Sequence, residues 1–208
     1  MSCSLIATNN RDLTDFKIKL DRDFYLRPTL DVAKDLIGKF LVFRTPEGIL
    51  SARLVEVEAY IGEDDPACHA AVGKTNRNEV MFGPGGFSYI YFIYGMYHCL
   101  NVVTERESFP SAVLIRGAEP VEGLDIMRRH FPNPEGNRLT DGPGKLCKAF
   151  GLSRRENGLD LTGSKLYLED RGYKPVKVER SRRIGIKKGV ERKWRYFEPC
   201  PFVSVKLK

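Results

Sequence analysis

The spacing of apolar and polar positions changes period several times along the chain, and each change marks a predicted element. Leu30, Ala33 and Ile37 share one face of a helix predicted over Leu30–Ile37, with Thr29 as its cap, Asp31 in the first turn and Gly38 at its end. Lys39–Arg44 reads as a strand, Pro46-Glu47-Gly48 as a turn and Ile49–Ile61 as a longer strand, together a β-hairpin. From Leu54 the period is two. Val55, Val57, Ala59 and Ile61 form a face suited to a core, and Leu54, Glu56, Glu58 and Tyr60 form the other.

Gly62–Phe82 has no sustained period and reads as a functional loop with one helical turn. After Gly83-Pro84-Gly85-Gly86, two aromatic-rich strands, Phe87–Tyr94 and Met96–Thr104, meet at Gly95. Ala112–Arg116 is a short apolar strand. Val121–His130 is a helix with Leu124 and Met127 inward, and Gly142-Pro143-Gly144 introduces another at Lys145–Phe150. Short strands are predicted at Leu166–Glu169, Val176–Val178 and Phe202–Leu207. The βαβ alternation of a parallel sheet is missing, so the class is α+β with a largely antiparallel sheet.

Composition narrows the setting. With 208 residues, 42% hydrophobic and 29% charged, the chain suits one domain spanning 1–208, with 1–20 peripheral. Met1–Arg11 lacks the basic and apolar regions of a signal peptide, and no run approaches the roughly 20 apolar residues of a membrane span. Five cysteines without a C-x-x-C fit a reducing, intracellular compartment: cytoplasm or nucleoid in a bacterium, nucleus in a eukaryote. The net charge of +7 is concentrated between Arg171 and Arg195, where eleven Lys/Arg face two Asp/Glu. Such a segment fits a phosphate backbone or a solvated face.

Three groups of residues could carry chemistry. Glu56 and Glu58 stand two apart on one strand face, roughly 6–7 Å from each other. They are surface carboxylates of an edge strand, or a general base held beside Tyr60 in a water-poor site. Tyr89, Tyr91, Tyr94 and Tyr97 supply flat faces with polar tips, suited to an aromatic core or to an unstacked base, and a tip bearing Tyr94 and Met96 could wedge into a DNA groove. Cys68-His69 and His98-Cys99 are adjacent pairs whose side chains diverge on a strand, so no metal is expected. The zinc-deaminase and Walker patterns are missing, although Gly144-Lys145 could meet a phosphate at a helix start.

Several separated segments carry a specific likeness. Val55-Glu56-Val57-Glu58-Ala59-Tyr60, Asp65-Pro66-Ala67-Cys68-His69, Thr75-Asn76-Arg77-Asn78 with Met81-Phe82, and Tyr89 through Tyr97 follow one another in order. Leu114-Ile115-Arg116-Gly117-Ala118-Glu119-Pro120 and Gly142-Pro143-Gly144-Lys145-Leu146 come next. Together, from about Arg27 to Val205, the chain resembles the alkyladenine (3-methyladenine, methylpurine) DNA glycosylase family. The resemblance implies one α+β domain with a curved sheet, flanking helices and a protruding hairpin that enters the DNA minor groove. It implies Glu58 as the base activating water, with Arg116 near that water and the flipped nucleotide's phosphate. Tyr60, His69 and Tyr91 would line the base pocket, Asn101 would exclude the 2-amino group of guanine, and Tyr94 would fill the gap in the duplex. The partner is double-stranded DNA carrying a damaged purine, the enzyme a monomeric, monofunctional hydrolase without cofactor.

Two positions depart from the family pattern: Asn76 stands where proline is common and Cys68 where serine is. The first is expected to alter loop rigidity and the second the pocket wall. Competing readings are a helix-hairpin-helix glycosylase, which needs a mostly helical chain, a non-catalytic nucleic-acid module, and a tRNA-binding fold like formyltransferase C-terminal domains.

Overall fold

The computed structural model describes residues 17–134 and 138–204. In chain order the elements are β1 (Ile18–Lys19), α1 (Arg22–Leu26), α2 (Thr29–Leu36), β2 (Phe40–Thr45), β3 (Gly48–Ile61), β4 (Ser88–Ile93), β5 (Tyr97–Val103) and β6 (Ser111–Glu122). They continue with α3 (Leu124–His130), α4 (Pro143–Phe150), β7 (Leu166–Asp170), β8 (Glu179–Ser181) and β9 (Arg195–Phe197). The strands form one antiparallel sheet in the order β1-β7-β2-β3-β6-β5-β4, with β9 pairing both β3 and β8. The α+β class therefore holds, with β4–β5 as the predicted aromatic hairpin.

Helices α2, α3 and α4 cover one face of the sheet. Val32, Ala33 and Leu36, Ile126 and Met127, and Leu146 and Phe150 pack there against Leu50, Leu100, Val113 and Ile115. A smaller cluster of Cys68, Ala70, Met81, Tyr89, Val103 and Ala112 lies beneath the loop that follows β3. That loop contains two short 3₁₀ turns, His69–Val72 and Glu79–Phe82, where one turn was expected.

The decisive irregularity is in β3. Leu50, Ala52 and Leu54 point into the main core, and so do Val57 and Ala59. The intervening step is odd, and the pairing with β6 shifts register on both sides of Glu56. This bulge moves Leu54 to the core face, opposite to the sequence expectation, and still turns Glu56, Glu58 and Tyr60 the other way. Past the bulge the strand also changes neighbour. Residues 48–53 pair with β2, whereas 56–58 pair with β9.

Other boundaries move for identifiable reasons. Pro28, at φ −50, caps α2, and Thr29 is its first residue, donating its hydroxyl to Glu105 at 2.8 Å. The short strand expected at Ala112–Arg116 runs from Ser111 to Glu122 because it follows β3 through the bulge. Val121 and Glu122 therefore belong to that strand. The next helix begins after left-handed Gly123, with Ile126 and Met127 inward and Leu124 38% exposed. Strand β8 lies just beyond the expected Val176–Val178, and β9 was not anticipated. Phe202–Ser204 is not a strand, and the rest of that expected strand lies outside the described residues, as does most of 1–20.

Candidate active site

The polar face of β3 belongs to a row of residues crossing five strands, from β4 to β9. Tyr89 pairs with Asn101, Asn101 with Leu114, Leu114 with Glu58 and Glu58 with Arg195. Cross-strand partners share a face of the sheet. The residues two steps along each strand, Tyr91, Cys99, Ala112, Arg116 and Tyr60, extend that surface. Most of it lines a cavity of about 720 Å³, a size suited to a small aromatic ligand. Its other walls come from Pro66, Ala67 and His69, from Gly142–Lys145 at the start of α4, and from Ile184–Lys188.

Glu58 is fully buried directly behind this wall. Its Oε1 accepts from the Ile184 N–H at 2.6 Å, and its Oε2 from the Tyr60 hydroxyl at 2.9 Å and Arg116 Nη1 at 3.3 Å. All three donor residues line the cavity. Burial pushes the Glu58 carboxyl above the usual range, and Arg116, the Ile184 N–H and the Tyr60 hydroxyl oppose it without cancelling it. Burial also works against the Arg116 charge, but Glu58 and Glu56 hold its pKa above the ordinary value.

Glu56, equally buried, is used differently. Arg116 Nε at 3.1 Å and Arg195 Nε at 2.6 Å reach its Oε1, while the Ser204 N–H and hydroxyl, at 2.6 and 2.5 Å, reach its Oε2. A carboxylate offers about four acceptor positions. Four donors saturate Glu56, whereas three leave Glu58 one position free. The segment that brings Ser204 in crosses tightly over Gly117, where a Cβ would stand 2.5 Å from the Phe202 carbonyl oxygen.

The aromatic residues meet as a nest. His69 and Tyr91 rings lie edge to face with centroids 4.5 Å apart, and His69 Nδ1 is 2.8 Å from the Tyr89 hydroxyl. Burial, then the nearby Arg77 charge, lowers the His69 pKa to about 4, so the ring is neutral near pH 7. Burial raises Tyr60 well above its usual value, reinforced by Glu58, and keeps it a hydroxyl donor. Asn101 faces the cavity with its amide nitrogen anchored to the Tyr89 carbonyl at 3.0 Å.

Tyr94 and Met96 stand at the β4–β5 tip, 79% and 66% exposed. Tyr94 has φ 54 and Gly95 φ 68, the pair of positive values a type I′ turn requires. Glycine accepts this readily, whereas for tyrosine it is strained by about 1–2 kcal/mol.

Of the sequence-derived residues, Tyr60, His69, Tyr91, Tyr94, Asn101 and Arg116 line one cavity, with Glu58 immediately behind it. Met96 lies at the hairpin tip, outside the lining. Cys68 does not line it either: its sulfur takes the capping role of a serine, accepting from the Ala70 N–H at 3.5 Å. Lys145 is at the cavity but ion-paired to Asp141 at 2.9 Å. Arg183, Ile184, Arg195 and Ser204 carry no local signal, and Asp65 stands in a family-like segment without a role of its own, because their partners are distant in sequence. Three arginines of the basic segment are in fact buried: Arg171 against Glu169, Arg183 against Asp65 and Arg195 against Glu56.

Among known proteins, the family described as methylpurine-DNA glycosylase matches residues 23–200. A relative from Methanocella arvoryzae is 50% identical over 189 residues, covering 87% of this chain and 94% of its own length. One from Alkaliphilus oremlandii is 46% identical over 202 residues, covering 91% and 100%. One from the Culex pipiens Wolbachia is 53% identical over 182 residues, covering 87% and 90%. Each of the three bears the name "Putative 3-methyladenine DNA glycosylase".

Proposed function

Because the chain belongs to the methylpurine-DNA glycosylase family, we propose that it excises alkylated or deaminated purines from double-stranded DNA with Glu58 as the general base. The observation that carries this assignment is the unequal use of the two buried carboxylates. Glu56 has four donors and no capacity left. Glu58 has three and lies directly behind the cavity wall that its donors line, so one lone pair remains unused and is the position we assign to a water molecule.

The reaction is a hydrolysis. The damaged nucleotide turns out of the stack into the cavity, its base lying among Tyr60, His69 and Tyr91. Glu58 takes a proton from water as the water oxygen bonds to C1′. The C1′–N bond breaks, and its electron pair leaves with the purine. Arg116 orients Glu58 and stands near the flipped nucleotide's phosphate. A purine carrying positive charge leaves as a neutral base, to which a neutral His69 adds no repulsion, and a neutral purine leaves as an anion that takes up a proton from solvent. Asn101, held rigid by the Tyr89 carbonyl, occupies the space that the 2-amino group of guanine would need. Tyr94 enters the minor groove and fills the gap, with Met96 beside it. The enzyme works as a monomer and leaves an abasic site without nicking the strand.

The test is a labelled duplex with a single hypoxanthine or ethenoadenine, incubated in EDTA and then treated with alkali. Strand cleavage only after alkali, lost in Glu58→Gln while duplex binding persists, is expected. Turnover retained by Glu58→Gln refutes the base assignment. Tight binding with no abasic site on these or methylated duplexes refutes the enzyme.

A further inference from the structure

Arg183 and Asp65 form a buried ion pair that the excision chemistry does not itself require. Both side chains are fully buried, and the contact is bidentate, at 2.5 Å from Nη1 and 2.8 Å from Nη2. A buried pair of this kind is seldom a net source of stability compared with well-packed apolar residues, because both charges leave water. What it does supply is direction. Arg183 Nη1 also donates to the Ala59 carbonyl at 3.0 Å, and Asp65 accepts from the Ile61 and Ala67 N–H groups at 3.3 and 3.2 Å. The end of β3, the loop after it and the segment that begins at Arg183 are thus tied at one point.

That point lies behind Glu58. Ile184, the next residue along the chain, donates the 2.6 Å N–H bond to Glu58 Oε1. The Arg183 guanidinium also stacks on the Tyr60 ring, 4.6 Å from its centroid, and Tyr60 supplies a second donor to Glu58. Arg183 Nε is buried without an acceptor among the described residues. The side chain is therefore oriented by the carboxylate fork and the aromatic face at the expense of one unsatisfied donor.

We propose that Arg183, locked by Asp65, is a positioning residue for excision: it sets the Ile184 N–H and the Tyr60 hydroxyl on Glu58 and so keeps one lone pair directed at the attacking water. This role rests on the reading of Glu58 as the base. Lysine in place of Arg183 retains the charge but not the fork, and is not an equivalent substitution.

The groups facing Glu58 are Glu56 and Tyr60 from its own strand, Arg116 from β6, Arg195 from β9, and Arg183. Arg183→Met removes a cation and loosens an N–H donor, both of which favour the carboxylate. The acid limb of the excision rate, where Glu58 protonates, must then move to higher pH. The experiment compares single-turnover excision of hypoxanthine from a duplex, duplex affinity, and the pH profile for Arg183→Met, Arg183→Lys, Asp65→Asn and Glu58→Gln. Rates at least tenfold lower in Arg183→Lys and Asp65→Asn, with affinity within threefold of wild type, are expected, together with the upward shift in Arg183→Met. If Arg183→Met does not fold, the two conservative variants decide. Folded variants with the wild-type rate and acid limb overturn the positioning role, as does a rate loss that follows thermal stability with the limb unmoved. Turnover by Glu58→Gln overturns the base assignment itself; a dead Glu58→Gln beside normal Arg183 variants overturns only this inference.

Discussion

The β4–β5 tip places a tyrosine where the backbone favours glycine or asparagine, and this allows strain and function to be separated at one residue. Tyr94→Asn puts an Asn-Gly pair at two positive-φ positions, the combination type I′ hairpins prefer. It relieves about 1–2 kcal/mol of left-handed strain. Against this stands the burial lost. Tyr94 is 79% exposed, so only about a fifth of its surface is covered, equivalent to about 1 kcal/mol at most. The net effect lies between about zero and 2 kcal/mol of stabilisation. Tyr94→Val loses the same contacts and keeps a β-branched residue at positive φ, where the backbone is least tolerant. The two variants should differ by about 1–2 kcal/mol, which at roughly 2–4 °C per kcal/mol is a readily measured gap in melting temperature. Both should lose excision at least tenfold, because neither fills the space left by a flipped nucleotide, a state costing a few kcal/mol to reach. Thermal melts and single-turnover excision on a hypoxanthine duplex read the two effects independently. A Tyr94→Asn protein less stable than Tyr94→Val would refute the strain argument, and undiminished excision by either would refute the plug.

Two further measurements test the electrostatics. His69 titrates at about 4 in the folded chain against about 6.5 unfolded, chiefly through burial, so its stabilising contribution is complete above pH 6.5 and is lost as pH falls toward 4. The full shift corresponds to about 3 kcal/mol, roughly 1–2 after allowance for solvent around a partly exposed ring. Melting temperature against pH should therefore be flatter over that window in His69→Gln than in wild type, and equal slopes would contradict the neutral-histidine pocket. At the cavity mouth, exposed Lys187 and Lys188 are placed to meet phosphates. Alanine at either should lower the slope of log affinity against log salt by about one, and an unchanged slope would remove that residue from the DNA face.

What could be read from the sequence was mainly what is local. The alternation through Val57, Glu58, Ala59 and Tyr60 placed Glu58 and the Tyr60 hydroxyl that donates to it on one face, and the aromatic hairpin identified itself by Gly95. The bulge before Val57 could not be read. Leu54 and Val55 are both apolar, so either phase of the strand satisfies the pattern, and only the pairing with β6 shows which residue is the extra one. Thr29 was a plausible cap, but its hydroxyl serves Glu105, 76 positions away.

The basic segment illustrates the same limit with greater consequence for function. Its eleven cations fit a phosphate backbone or a solvated face, yet Arg171, Arg183 and Arg195 are turned inward to carboxylates on β7, after β3 and within β3. Arg183 and Asp65 are 118 residues apart and Arg195 and Glu56 are 139 apart, so no local pattern could distinguish these arginines from exposed neighbours such as Arg182 and Lys188. The segment thus divides its charge between two tasks. Part remains available to DNA, and part neutralises the carboxylates that the site must keep buried. The second part has a definite electrostatic logic. The Glu56 charge beside Glu58 disfavours the ionised form of the Glu58 carboxyl. Arg116 and Arg195 on Glu56 relieve that repulsion, while Glu58 keeps one oxygen with a single donor, behind the cavity wall. On the reading of Glu58 as the base, charge neutralisation at Glu56 favours the ionised carboxylate that proton abstraction from water requires.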